Sequence, residues 1–159
     1  LHTNDAAGTI PRLLDLGVQP AIIAPAINIT MAQRLIRRLC SECKIPKRLA
    51  TAEKEVVKKI LAGFPKGIAA PDEKSWTIFQ TLKKPCASCN GIGYKGRIGI
   101  FEIILIDEKI EALILKRPAE TEIKKEALTQ GQTTMHQDGL LKVLAGVSDF
   151  AELERVMGV

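Results

Sequence analysis

The sequence predicts an α/β chain built on an antiparallel pair of strands, with a four-cysteine zinc subdomain at one end and a small helical bundle after it. Three observations carry this. Two CxxC pairs, Cys40/Cys43 and Cys86/Cys89, are each attached to a strand-like segment, 32–39 before the first and 96–106 after the second. Beyond Ile106 the pattern turns helical, with repeated Gly or Pro stops. Of the 159 residues 46% are hydrophobic and 26% charged, a globular composition with enough chain to bury a core.

The elements follow in order. Asn4 or Asp5 suits the cap of a first amphipathic helix, with Ala6, Ile10, Leu13 and Leu14 on one face and Gly17 as its stop. Pro11 moves the expected start toward Ile10. Residues 20–31, "PAIIAPAINITM", read as a short helix passing into extended chain. "AQRLIRRLC" fits both the helical and the strand period, and its β-rich counterpart "GRIGIFEIILI" decides for a strand. A metal joining the cysteine pairs would lay these segments side by side. Between the pairs, Thr51 caps a charged helix that ends at Gly63 and Pro65, "GIAAPDEKSW" is loop, and "TIFQTL" is a short strand returning to the metal. "DEKIEALILKR" runs from acidic to basic, as the helix dipole favours, and Pro118 breaks it. "AETEIKKEALTQ", "MHQDGLLKVLAG" and "SDFAELERVMG" complete the bundle, the last capped by Ser148 with Glu152 in its first turn. His136 is a lone histidine beside a helix start and reads as a surface residue.

Two residues between cysteines let both sulfurs reach one ion about 2.3 Å away. Residues 44–85 between the pairs exceed a short zinc loop, which a self-contained insert accommodates. No secretory signal is recognisable, which argues against disulfides, and a redox site of thioredoxin type would use one pair. Cys40, Cys43, Cys86 and Cys89 are therefore the expected ligands of a structural Zn²⁺. Gly91, Gly93 and Gly96 spell GxGxxG, but that motif opens a helix after a strand, and here it follows a cysteine pair. "CASCNGIG" also matches one CxxCxGxG unit of J-domain co-chaperones, which the first pair does not repeat. The glycines are better explained by positive-φ turns leaving a zinc knuckle.

The net charge of +5 gathers in "RLIRRLC", "KIPKR", "LKKPC" and "YKGR". A zinc-ribbon nucleic-acid binder is the alternative that such patches raise. Six aromatic residues are a poor supply for base stacking, so no nucleic acid is expected as partner. No apolar run approaches the roughly 20 residues of a membrane span. The opening at Leu1 gives the expectation of a piece of a longer chain.

"LHTNDAAGTIPRLLDLGVQP", "AQRLIRRLCSEC", "CASCNGIGYKGRIGIFEI" and "QDGLLKVLAGVSDFAELERV" resemble, in order, blocks of the traffic ATPases that drive type II secretion and type IV pilus assembly. The resemblance implies a hexameric, cytoplasmic, RecA-like ATPase that uses ATP and Mg²⁺. It further implies association with the inner membrane through a platform protein and other partners of the secretion or pilus machine. This chain would be its carboxy-terminal part: residues 1–39 finishing the RecA-like core, 40–95 the zinc subdomain with insert 44–85, 96–106 a strand returning to the core, and 107–159 a helical region. His2, in "LHTND", matches the family's γ-phosphate-proximal histidine. Arg34, Arg37 and Arg38 fall in a block that could serve a subunit interface or lie near nucleotide, a role that solvated strand charge explains equally well. No GxxxxGK[ST] occurs, so the chain alone is not expected to hydrolyse ATP.

Overall fold

Alternation of apolar side chains draws out two long strands. The structure is a computed structural model describing residues 3–65, 71–82 and 86–158. Strand β1 spans Ile29–Leu39, and the second long strand, Tyr94–Leu105, pairs with it. The Ile106 N–H donates to the Asn28 carbonyl, and the Cys40 N–H to the Gly93 carbonyl, both at 2.9 Å. Residue numbers fall on one strand as they rise on the other, so the ribbon is antiparallel, as expected. β1 begins three residues earlier than the sequence suggested, because the alternation continues back through Thr30, buried between exposed Ile29 and Met31.

The described chain forms two compact units. The first comprises Leu1–Gln33, Pro65–Ile68 and Phe101–Thr134. It holds α1 (Thr9–Asp15) and α2 (Pro20–Ala26). Asp5 does not cap α1 directly: its carboxylate accepts the Gly8 N–H at 2.9 Å and shapes the turn ahead of the helix. Pro20 occupies a first-turn position that needs no N–H donor.

The second unit comprises Arg34–Phe64, Ala69–Ile100 and Met135–Val159. The insert between the cysteine pairs supplies β2 (Lys44–Lys47), α3 (Thr51–Ala62) and β3 (Ile78–Thr81), so the long return strand Tyr94–Leu105 is β4. β2 and β3 are antiparallel, with Lys44 opposite Thr81 and Lys47 opposite Ile78. Sequence reasoning found β3 but missed β2, since Pro46 inside "KIPK" argues against a strand; a two-stranded sheet consists only of edge strands, where proline is tolerated. Thr51 is the first residue of α3 rather than its cap, and Glu53 accepts the Ala50 N–H at 2.8 Å.

The four helices after β4 form two pairs instead of the single expected bundle. α4 (Glu108–Leu115) and α5 (Glu120–Thr129) pack on each other in the first unit, with α2 against α4. Asp107 caps α4 by accepting the Ile110 N–H at 3.0 Å. α6 (Met135–Leu144) and α7 (Phe150–Met157) belong to the second unit. There Leu140, Val143 and Leu153 share a core with Val57 of α3 and Ile78 of β3. An apolar helix face shows that a helix is covered but not by what, and the insert is what covers α6. Asp149, not Ser148, caps α7, taking the Glu152 N–H at 2.9 Å. The Ser148 hydroxyl donates instead to the Arg37 carbonyl at 2.8 Å.

Candidate metal centre

Each CxxC folds into a knuckle. The Cys40 carbonyl accepts the N–H groups of Cys43 (3.3 Å) and Lys44 (3.0 Å), and the Cys86 carbonyl those of Cys89 (3.3 Å) and Gly91 (3.0 Å). These bonds turn both sulfurs of a pair the same way. The Cys40 N–H···O=C Gly93 bond then ties the first knuckle to the exit of the second. At Gly93 a side chain is excluded twice. Its φ is +82°, and a Cβ would stand 2.5 Å from Thr81 Cγ2.

The four Sγ atoms lie within 4.8 Å of one another, with Cys40–Cys86 at 4.0 Å and Cys43–Cys89 at 3.7 Å. A tetrahedral ion with metal–sulfur bonds of about 2.3 Å has sulfur–sulfur edges of about 3.8 Å, so this spacing fits zinc. It is far too wide for a disulfide, and all four cysteines are free. Cys40, Cys43 and Cys89 are buried and Cys86 is half-buried, with Leu82 packed against the cluster. The Gly93 N–H points at Cys89 Sγ from 3.2 Å. Burial pushes the Cys89 thiol up, but this N–H and the neighbouring thiols outweigh it and bring the group down to about 7. Burial and the same neighbours raise Cys43. The surroundings thus favour the Cys89 thiolate and oppose that of Cys43, and a bound cation would favour thiolate ligands.

The arginines singled out in the sequence have different surroundings. Arg34 Nη1 donates to the Val156 carbonyl at 2.7 Å. Arg37 binds Glu152 through its backbone N–H and its guanidinium, and lies 4.0 Å above the Tyr94 ring. Arg38 is exposed. Sequence reasoning did not anticipate the partners: Glu152 is completely buried, and the Tyr94 hydroxyl donates to Asp149 at 2.8 Å. A helix-cap pattern gave the position of Glu152 but not its cross-chain role.

His2 lies outside the described residues. Its neighbours Thr3, Asn4 and Asp5 line a polar cleft of about 430 Å³ together with Arg12 and Lys124. Lys124 Nζ stands 2.7 Å from Asp5. Burial raises the Asp5 carboxyl, but Lys124 and the Gly8 N–H prevail and hold it below its ordinary value. The Ala6 N–H donates to Glu102 Oε1 of β4 at 3.1 Å, a buried contact that the sequence did not signal.

The sequence model for "Type II/IV secretion system protein" matches residues 1–155. The type IV pilus assembly ATPase PilB of Acinetobacter baylyi is 39% identical over 98% of this chain and 25% of its own length. That of Myxococcus xanthus is 36% identical over 99% of this chain and 26% of its own. The type II secretion system protein E of Pectobacterium carotovorum is 37% identical over 98% of this chain and 28% of its own. The chain thus spans about a quarter of the length of these relatives.

Proposed function

The chain belongs to the type II/IV secretion system protein family, and from that premise we propose that it is the carboxy-terminal part of a hexameric cytoplasmic ATPase powering type II secretion or type IV pilus assembly. The observation that carries the reading is the family match across residues 1–155, together with relatives named for those two machines that align over 98–99% of the chain.

Zn²⁺ held by Cys40, Cys43, Cys86 and Cys89 is structural in this reading. Four sulfurs close the coordination shell and leave no place for water or substrate. The ion fixes both ends of a long insert to the ribbon, so the second unit moves as one piece when the motor turns over. ATP and Mg²⁺ act elsewhere in the longer protein, because the phosphate-binding loop is missing from these 159 residues. His2 is assigned the γ-phosphate-proximal role, and Arg34, Arg37 and Arg38 a subunit-interface or nucleotide-proximal one; the internal bonds of Arg34 and Arg37 leave Arg38 the best candidate of the three.

The ribbon supports an edge position in a larger RecA-like sheet. Ile29 and Met31 of β1 and Ile103 and Leu105 of β4 are 40–61% exposed, an apolar face that further core elements would cover. The partners are an inner-membrane platform protein and the other subunits, and the location is the cytoplasmic side of the inner membrane.

The test is a comparison of this chain with a longer one that restores the upstream residues. The longer chain should form hexamers and turn over ATP, lose turnover on His2→Ala, and carry one zinc per subunit. The 159-residue chain should carry the zinc and show no turnover. Motor-like ATP hydrolysis by the short chain, or none by the longer one, would sink the reading.

A further inference from the structure

A cavity of about 520 Å³ lies wholly within the second unit, bounded by β2, β3, α3 and the start of α7. β2 lines it through Ile45 and Lys47, alternate residues on one face, whereas β3 lines it through four consecutive residues, Ile78–Thr81. Successive side chains leave a strand on opposite faces, so a space that meets all four runs along the edge of β3.

That edge carries open main-chain groups. β2 and β3 form a sheet of two strands, in which Pro46 stands opposite Phe79. Pro46 has no N–H to give, so its pair is not one that exchanges ladder bonds. Those fall to the alternate pairs, Ile45 with Gln80 and Lys47 with Ile78. The N–H and C=O of Phe79 and of Thr81 therefore point away from β2, and none of them is bonded elsewhere among the described residues. Pro46 guards the outer edge of β2 against a further strand, and β3 has no such guard.

The far wall is acidic and apolar. Asp149, Phe150 and Glu154 of the α7 end face the same space. Lys47 is paired with Glu53 at 2.6 Å, and the guanidiniums of Arg37 and Arg155 are spent on Glu152. Exposed Glu154 has no ion pair among the described residues, and the Tyr94 proton that reaches Asp149 leaves that carboxylate charged. One cation against three carboxylates gives the lining a net charge of −2. Free main-chain donors and acceptors beside such a wall fit an extended chain that carries basic and apolar side chains. A second copy pairing β3 against β3 fits less well, because it would bring two acidic walls together.

We infer that the outer edge of β3 docks an extended segment of a partner protein in which basic and apolar residues alternate, added as a strand beside Phe79 and Thr81. This site stands apart from the motor assignment.

The zinc-loaded chain is titrated with a short labelled peptide of alternating arginine and valine, read by fluorescence anisotropy. The peptide should bind and shift the amide resonances of Phe79 and Thr81, while its counterpart with glutamate for arginine should not bind. Methylating one alternate set of its amide nitrogens should weaken binding about tenfold, and methylating the other set much less, because an added strand turns one edge to β3. Glu154→Gln should weaken it about threefold, the effect of an exposed ion pair. Thr81→Pro should abolish it, with zinc content measured to show that the knuckles persist; the methylated peptides need no variant and decide the question if that chain does not fold. Equal binding of the glutamate peptide, or undiminished binding after methylation of either set, would overturn the inference. Displacement of the peptide by equimolar agmatine would also overturn it, by making the cavity a site for a small cation. So would a dimer of the zinc-loaded chain that Thr81→Pro dissociates, since a second copy would then hold the edge.

Discussion

Arg37 on β1 surrounds the buried Glu152 of α7 with three donors: its backbone N–H at 2.8 Å, Nε at 2.8 Å and Nη2 at 2.6 Å. Arg155 adds two more, at 2.8 and 2.7 Å. A carboxylate with no solvent exposure is tolerable only when charge and lone pairs are matched in this way. The network binds the last helix to the strand that leads into the metal centre.

The first prediction follows from that carboxylate. Burial raises the Glu152 carboxyl, but the bonds from Arg155 and Arg37 outweigh it and hold the group at about 2, against an ordinary 4.5. Its contribution is complete above the unfolded value and fades as pH falls from about 4.5 toward 2. The loss should be about 2 kcal/mol, less than the whole shift implies, because both guanidiniums reach solvent. Glu152→Gln should flatten the acid limb of a pH series of urea melts and lower stability at pH 7. Removing the side chain in Glu152→Ala should cost about 3 kcal/mol, since two cations lose their partner. An unchanged acid limb in Glu152→Gln would refute the assignment.

Metal removal gives the second prediction. A structural zinc contributes on the order of 10 kcal/mol to folding. Chelation should therefore raise amide exchange across both knuckles, β2, β3 and the adjoining end of the ribbon. Exchange in α4 and α5, which belong to the other unit, should change little. Cys43→Ser and Cys89→Ser should each abolish stoichiometric zinc, read with a metallochromic dye. Full zinc retention in either variant would show that the four-sulfur site is not the one occupied.

Much of this was legible in the sequence, for identifiable reasons. Spacing revealed the cluster, because two CxxC knuckles that converge leave a fixed pattern at Cys40, Cys43, Cys86 and Cys89. Alternation revealed β1 and β4, since each buries one face. What escaped depends on contacts distant along the chain. Glu152 looked like an ordinary first-turn acid, and only the fold brings Arg37 to it across 115 residues. β2 was hidden by Pro46, whose missing donor is tolerated on an edge strand where that position faces away from the partner. Ser148 and Asp149 are adjacent and both suit a cap. Their competition is decided by the Arg37 carbonyl, which takes the serine.

Gly93 offers a third test, on the link between insert and knuckle. Gly93→Ala places a methyl in left-handed backbone, at a cost of roughly 1–2 kcal/mol, and drives it against Thr81 Cγ2. The Thr81→Ser change removes that methyl partner, while the Thr81 Cβ, 2.6 Å from the added methyl, and the backbone strain remain. The double variant should recover part of the lost stability, and zinc affinity should fall in the single variant and rise again in the double. Equal losses in single and double variants would mean that the Thr81 methyl does not crowd the knuckle.

Gly139 poses the same question inside a helix, where the two costs have opposite signs. It lies within α6, and an alanine there gains about 1 kcal/mol of helix propensity. The added Cβ, however, would stand 2.5 Å from Leu153 Cδ1, a side chain with no solvent exposure in the core that also holds Leu140 and Val143. Overpacking of such a site costs about 1–3 kcal/mol, so Gly139→Ala should be destabilising overall. Leu153→Val alone should also destabilise by about 1 kcal/mol through lost burial. Combined, the alanine methyl occupies the space the valine vacates, and the propensity gain is no longer opposed. The double variant should therefore be more stable than either single one in thermal or urea melts, a coupling of the sign expected for residues in direct contact. Strict additivity would place the two side chains out of reach of each other and remove the packing reason for glycine at this position.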